Sequence, residues 1–315
     1  MADIKMKKDS IERAGKIIAG VIPADRILKN EPMSKHTSFR IGGPAALFVH
    51  VETEKELAAV LAAAKAENAE HILVGNGSNF LVSDKGYPGI MIHLNGDFEA
   101  VELSGPVQVR AGAAKLLSGI SSFVTEKGLA GFEFASGIPG SLGGAIFMNA
   151  GAYGGEMCDI VESVRLMKGD GSGIAEVPGS KMDFSYRHSN VGESGMIVLS
   201  ATMRLLPDSP DAIAARVSEL QAKRNAKQPV NYPSAGSTFK RPAVGFAAAL
   251  IDEAGLRGYR VGGAMVSEKH AGFVINAGGA TADDVLAVMR HVRDTVKEKS
   301  GVTLEPEVRL INCSL

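Results

Sequence analysis

The hydrophobic pattern alternates between short strand-like runs and amphipathic helical stretches. Residues 1–29 read as an amphipathic helix at the periphery, with Ile11, Ile17, Ile18 and Val21 as its apolar face. Ala46–Val51 has the pattern of a strand. Thr53 then caps a helix predicted over Glu54–Ala66, and Glu56 at its third position completes a capping box. A short apolar strand at His71–Val74 runs straight into Gly75-Asn76-Gly77-Ser78-Asn79, and further apolar pieces follow at 80–82 and 89–94. Val101–Ala111 alternates as one strand. Leu116–Lys127 has helical spacing with Gly128 as its C-terminal cap.

Beyond the middle of the chain, strands are predicted at 160–168 and 196–206, and Pro207 to Pro210 marks a boundary. Helices at 211–225, 244–254 and 282–298 follow, with strands near 272–276 and at 303–311. This order predicts an N-terminal α+β unit, a second α+β unit ending near residue 206, and a smaller C-terminal α/β domain.

Gly131–Gly155 interrupts the pattern. It holds eight glycines and one charged side chain, Glu133. Its apolar residues Ile138, Leu142, Ile146, Phe147 and Met148 distinguish it from a flexible linker, and glycine at this density weakens regular helix or strand. Such glycines let backbone approach something closely. The Gly140–Gly144 run either cradles a phosphate or packs one loop on another, and the residues alone favour neither.

Composition narrows the classes. A net charge of −1 over 315 residues argues against a nucleic-acid surface covering the whole protein. Two cysteines, Cys158 and Cys313, with no CxxC pair, give neither a disulfide framework nor a zinc site and fit a reducing cytosol. The run Ile17–Ile22 is too short for a signal-peptide core, and no run approaches a membrane span. The expectation is a cytoplasmic protein without membrane, nucleic-acid or metal partners.

Gly75–Asn79, directly after a strand, suits a backbone anion nest. It lacks the third glycine of a dinucleotide fingerprint, and no Walker A loop occurs. Two such nests in one chain tilt the reading towards a bound pyrophosphate. The seven histidines show no metal spacing. Tyr186-Arg187-His188-Ser189 reads from spacing alone as a surface turn. Ser237 follows a glycine without the context of a hydrolase nucleophile, and Glu305 and Glu307 flank Pro306 as a solvated acidic pair.

Six motifs in order change this picture. They are Lys35–Gly43, Val74–Asp84, Gly137–Gly155, Tyr186–Ser189, Ser234–Lys240 and Leu304–Arg309. Together they closely resemble the UDP-N-acetylenolpyruvoylglucosamine reductases (UDP-N-acetylmuramate dehydrogenases), over nearly the whole chain after residue 30. The resemblance implies an α+β fold in which a two-part PCMH-type (vanillyl-alcohol-oxidase-like) region holds FAD and a C-terminal α/β domain takes the substrate. The implied divisions are an N-terminal segment at 1–30, FAD-binding subdomains at 31–98 and 99–206, a substrate domain at 207–302, and a returning strand at 303–315.

It also implies NADPH as hydride donor and a UDP-sugar enolpyruvyl ether as substrate. Arg187 and Glu307 match residues that stabilise the enolate intermediate, and Ser237 matches the proton donor. Implied cofactor contacts fall on Arg40, Gly75, Asn76, Gly77, Ser78, Asn79, Pro139, Gly140, Ser141, Gly143, Gly144, Asn149 and Gly151. Implied substrate contacts fall on Tyr186, Lys227, Arg241 and His270. Only 49 residues lie between Arg187 and Ser237, which resembles the shorter class of the family, without a tyrosine-bearing capping loop. Another PCMH-type oxidoreductase, or a non-catalytic nucleotide-binding protein on the same scaffold, is the alternative.

Overall fold

The computed structural model describes residues 2–315, with side chains of the first helix described from Lys8 onward. The chain divides into two compact units. The first comprises Met1–Lys29, Leu47–Asn76 and Pro88–Arg224, and the second Asn30–Ala46, Gly77–Tyr87 and Asn225–Leu315.

In the first unit the N-terminal helix spans Ala2–Ile18, shorter than the predicted 1–29. Its buried stripe is Ile11, Ala14 and Ile18, continued by Ile22 beyond the helix end. Ile17 and Val21 are 46% and 42% exposed, which corrects the expected face. At 100° per residue, positions 11, 14 and 18 share one stripe and position 17 sits a quarter turn away. The helix buries this one face, with Ala14 fully buried, and leaves most of its other described residues exposed or half-buried.

Helix Glu54–Ala66 forms as predicted, and the Thr53 hydroxyl accepts from the Glu56 amide. In place of the reciprocal half of the expected box, the Glu56 carboxylate accepts from the Glu52 amide, one residue before the cap, at 2.8 Å and from the Arg26 guanidinium at 2.7 Å.

A four-stranded sheet takes the order Ile27–Pro32, Pro44–Val51, Tyr87–Leu94, His71–Leu73. Its last pair is parallel, with His71 opposite Ile90. A parallel strand such as His71–Leu73 ends on a loop, and here that loop opens with Gly75. The other large sheet in this unit is antiparallel, in the order Ile174–Pro178, Val161–Met167, Ile197–Arg204, Gln108–Gly112, Val101–Leu103. Val109, Ala111, Val164, Ala201 and Met203 form its buried apolar face. Arg110, Ser163, Arg165, Ser200 and Thr202 share the opposite, polar face.

The single strand expected at 101–111 is a hairpin, because Gly105 and Pro106 break it; the Ser104 amide donates to the Gln108 carbonyl across the turn. Strand Ile174–Pro178 had no sequence signal. It is an exposed edge strand without an alternating apolar face.

The second unit is built on helix Ala282–Ser300, whose Val285, Met289, Val292 and Val296 are buried in its core. That helix is capped twice at its start. Thr281 and Asp284 form a capping box, and the Asp84 carboxylate accepts from the Ala282 and Asp283 amides at 2.9 and 3.0 Å. Around it lie a three-stranded antiparallel sheet (Arg260–Val261, Ala264–Val266, Val274–Asn276), helix Ala247–Glu253, and a parallel pair of Phe80–Val82 with Arg309–Ile311.

The strand expected at 303–311 contracts to Arg309–Ile311. Pro306 has no amide to donate, so residues 305–307 leave regular pairing and instead line Thr238–Lys240.

Candidate functional site

Within the first unit the two glycine segments meet. The Asn76 side-chain amide donates to the Pro139 carbonyl at 2.8 Å, and a Cβ on Gly75 would overlap the Ser141 hydroxyl. Pro139–Gly143 is docked in turn on 113–117, through Leu117 N–H to Gly140 O, Leu142 N–H to Lys115 O and Gly143 N–H to Ala113 O.

The packing reading is what the contacts show, at particular glycines. Gly75, Gly143 and Gly151 are loop-on-loop packing positions, since an added Cβ would press on Ser141, Ala113 and Glu156 respectively. Gly144 is exposed and meets only the Ser141 hydroxyl, at 3.7 Å, so its backbone is open to a ligand. The stretch also contains a short helix, Leu142–Phe147, contrary to the expectation of no regular structure.

Asn149 is fully buried at φ +43°. Its side-chain amide donates to Glu156 (2.9 Å) and to the Ser185 carbonyl (3.1 Å), and its oxygen accepts from the Cys158 amide (2.9 Å). The amide thus offers a cofactor nothing directly. It ties the glycine-rich stretch to the turn bearing Tyr186 and Arg187.

A second tie runs from the Ser189 hydroxyl to the Phe147 carbonyl at 2.8 Å. Arg187 sits at φ +56°, left-handed for a non-glycine residue, with its guanidinium 4.9 Å over the Tyr186 ring. Such a backbone costs about 1–2 kcal/mol and persists only where surroundings over-determine it. The turn is therefore constrained, more than a solvated surface turn requires.

The second unit gathers another group. Gly77 has φ +59°, and a Cβ there would strike the His36 carbonyl, so glycine is required. The Ser38 amide donates to the Gly77 carbonyl, and Arg40 stands exposed at φ +55° in the adjoining turn. Ser78 and Asn79 are half-buried, and the Asn79 side-chain amide donates to the Glu307 carbonyl at 3.1 Å.

The Glu307 amide donates to the Thr238 carbonyl at 2.9 Å, which sets Glu307 beside the segment carrying Ser237. Ser237 itself is exposed, following Gly236 at φ +76°. The Thr238 amide donates to the Gly272 carbonyl, and the Gly272 amide to His270 Nδ1 at 3.2 Å, which leaves the imidazole proton on Nε2. Burial pushes the His270 pKa down, and the Arg257 charge adds to this, so the ring is neutral at pH 7.

Ser237, Glu307, Asn79 and His270 thus share one bonded framework. Lys227 is exposed at the end of its helix, and Arg241 stacks on Phe246 at 4.4 Å further along the chain. Glu305 is exposed and pairs with Lys240.

The residues present fit a large polar cofactor. Arg110 Nε and Ser200 Oγ are buried without hydrogen-bond partners on the polar sheet face, and an open glycine backbone lies at Gly144 in the same unit. Sequence reasoning missed the scaffold role of Asn149, which its position in a glycine run could have suggested, and Thr238, which no local signal marks. Burial and Glu156 raise the Cys158 thiol to about 11, which disqualifies it as a nucleophile. Among the described residues no group of three or more His, Cys, Asp or Glu could hold a metal ion, and no helix is long and apolar enough to cross a membrane.

A family match over the first unit and its neighbour strands places the chain among FAD-binding proteins. The family described as "FAD binding domain" matches residues 45–174, and "UDP-N-acetylenolpyruvoylglucosamine reductase, C-terminal domain" matches residues 228–311. The chain is 48% identical to the UDP-N-acetylenolpyruvoylglucosamine reductase of Lachnoclostridium phytofermentans, over 93% of this chain and 96% of the relative. It is 46% identical to that of Clostridioides difficile, over 93% and 96%. The solved UDP-N-acetylenolpyruvylglucosamine reductase of Thermus caldophilus superposes with a TM-score of 0.77 at 36% identity, covering 90% of this chain and 97% of that one. The chain belongs to the UDP-N-acetylenolpyruvoylglucosamine reductase family.

Proposed function

We propose that this protein reduces UDP-N-acetylglucosamine enolpyruvate to UDP-N-acetylmuramate with NADPH, a cytoplasmic step in peptidoglycan precursor synthesis. FAD, when bound, would supply the hydride-transfer chemistry that links NADPH to C3 of the enolpyruvyl group. The observation that carries the reading is the bonding of the Ser237–Thr238 segment to Glu307, which supports a joint role for two residues 70 positions apart in sequence.

In this reading Arg187 holds the substrate carboxylate bidentately, which a planar guanidinium does and an ammonium does not. Negative charge grows on that carboxylate only after hydride arrives, so a preorganised cation acts on the transition state. Ser237 then gives its proton to C2. A serine hydroxyl is a very weak acid, and the strongly basic enolate is a partner it can serve. Glu307, set beside the Ser237 segment by its backbone pairing, completes the set around the intermediate.

Gly75–Asn79 and Pro139–Gly144 hold the FAD pyrophosphate, with Arg40 and Gly151 close to the cofactor and Asn149 as scaffold. Tyr186, Lys227, Arg241 and neutral His270 contact the UDP-sugar. The expected subdomains at 31–98 and 99–206 and the substrate domain at 207–302 belong to the same reading.

The visible spectrum tests it. The purified protein shows an oxidised flavin band that NADPH bleaches and the enolpyruvyl substrate restores under anaerobic conditions. A protein that cannot be loaded with FAD, or whose reduced flavin ignores the substrate, overturns the proposal.

A further inference from the structure

Arg224 lies near the end of helix Pro210–Lys227, in the first unit. Its guanidinium is turned inward on the glycine-rich stretch. A Cβ on Gly137 would stand 3.1 Å from its Cδ and 3.6 Å from one of its terminal nitrogens, so the arginine packs closely over the bare Gly137 backbone.

Among the described residues no carboxylate pairs with Arg224 and no acceptor bonds it. The other arginine of this helix behaves differently. Arg216 is held by both Glu133 and Asp208, and Glu133, the only carboxylate within Gly131–Gly155, is thereby occupied. The one polar neighbour that bears on the Arg224 charge is Tyr153, across the same stretch. The side chain is half-buried, and that burial pushes the guanidinium pKa down. A half-buried cation without a counterion has given up part of its hydration for nothing unless something anionic completes it.

We propose that Arg224 is a cofactor ligand: it reaches over Gly137 to meet an anionic group of bound FAD. The inference rests on the FAD-dependent reading above. Two parts of the dinucleotide carry such charge, the diphosphate and the pyrimidine ring of the reduced flavin. Either presents delocalised oxygens suited to a planar fork of N–H donors. The bare backbone at Gly137 then gives the arginine a surface to lie over, just before the Pro139–Gly144 loop.

The test compares Arg224→Met and Arg224→Lys with the wild type in the full-length protein, as apoprotein and after FAD loading. Removing an unpaired, half-buried charge leaves the Arg224→Met apoprotein as stable as the wild type or more so, read as its melting temperature. A loss of apoprotein stability marks a structural arginine and overturns the proposal.

If the diphosphate is the partner, Arg224→Met binds oxidised FAD roughly 10- to 100-fold more weakly, the usual worth of a charge-assisted hydrogen bond, and the flavin potential is unchanged. If the reduced ring is the partner, oxidised FAD binds nearly normally while the midpoint potential falls. Arg224→Lys, which keeps the charge and loses the fork, lies between wild type and Arg224→Met on whichever scale moves. FAD affinity and potential both unchanged in Arg224→Met overturns the inference alone. A wild-type protein that takes up no FAD overturns the functional reading itself.

Discussion

The two groups of functional residues are held in different ways. In the first unit, side chains fasten the turn that bears Arg187. Asn149 and Ser189 tie the Arg187 turn to the glycine-rich stretch, and Asn149, Tyr153 and Arg187 all take left-handed backbone conformations. In the second unit, backbone pairing carries the segment that bears Ser237, braced by the Asn79 and His270 side chains. Thr238 pairs with Gly272 and Glu307, so Ser237 rides on extended chain that is anchored at the next residue. The first arrangement is strained and dense in glycine, suited to letting a rigid cofactor lie against main chain. The second leaves one hydroxyl exposed on a firm edge, suited to a single proton transfer.

The contrast can be broken most sharply at Ser237. Ser237→Ala removes only an exposed hydroxyl, so folding is untouched while turnover falls by roughly 10²–10⁴-fold, the range typical of a general acid. Steady-state NADPH oxidation with saturating substrate measures it, and Ser237→Cys recovers part of the loss because a thiol also carries a transferable proton.

Arg187→Lys comes next, with about a 10²-fold loss in turnover, comparable to deleting one oxyanion donor. Should lysine restore native rates, the bidentate role assigned to Arg187 fails.

Asn149→Ala probes the scaffold instead of the chemistry. Three hydrogen bonds disappear from a fully buried site, and alanine tolerates φ +43° poorly, so unfolding stability drops by about 3 kcal/mol. Urea unfolding of the apoprotein gives the value, and an unchanged midpoint contradicts the scaffold assignment.

The smallest effect concerns His270. Its folded pKa lies below that of the unfolded chain, so the unfolded state takes up a proton first as pH falls. The His270 contribution is therefore intact above about pH 6.5 and is lost as pH falls from there through the folded pKa. His270→Phe flattens the stability profile across that window, whereas a protonated ring in an NMR titration at pH 7 refutes the neutral assignment.

How much of this the sequence disclosed follows the same contrast. Glycine-dense segments announce themselves locally, so both loops and most helices were legible, and helix Glu54–Ala66 matched to the residue because Thr53 is a local cap. What depends on distant partners was not. The Thr238–Glu307 pairing joins segments with no common pattern, and Pro306 hides the irregularity within an apparently alternating strand. The exposed strand Ile174–Pro178 lacks the periodicity that marks a half-buried one. The first helix was legible in existence but not in face, since Ile17 and Ile18 are adjacent and only packing decides which turns inward. Individual catalytic roles were legible only through the motif resemblance; spacing alone left Tyr186–Ser189 as a surface turn.

One measurement bears most directly on the division of labour between the two groups. In an anaerobic stopped-flow experiment on Ser237→Ala, flavin absorbance is followed first after mixing with NADPH and then after mixing the reduced enzyme with the enolpyruvyl substrate. The account predicts bleaching at the native rate and a recovery that stalls, placing the whole loss in the second step. Equal slowing of both steps would show that Ser237 supports the flavin's position, and would contradict the assignment of the proton to the second unit.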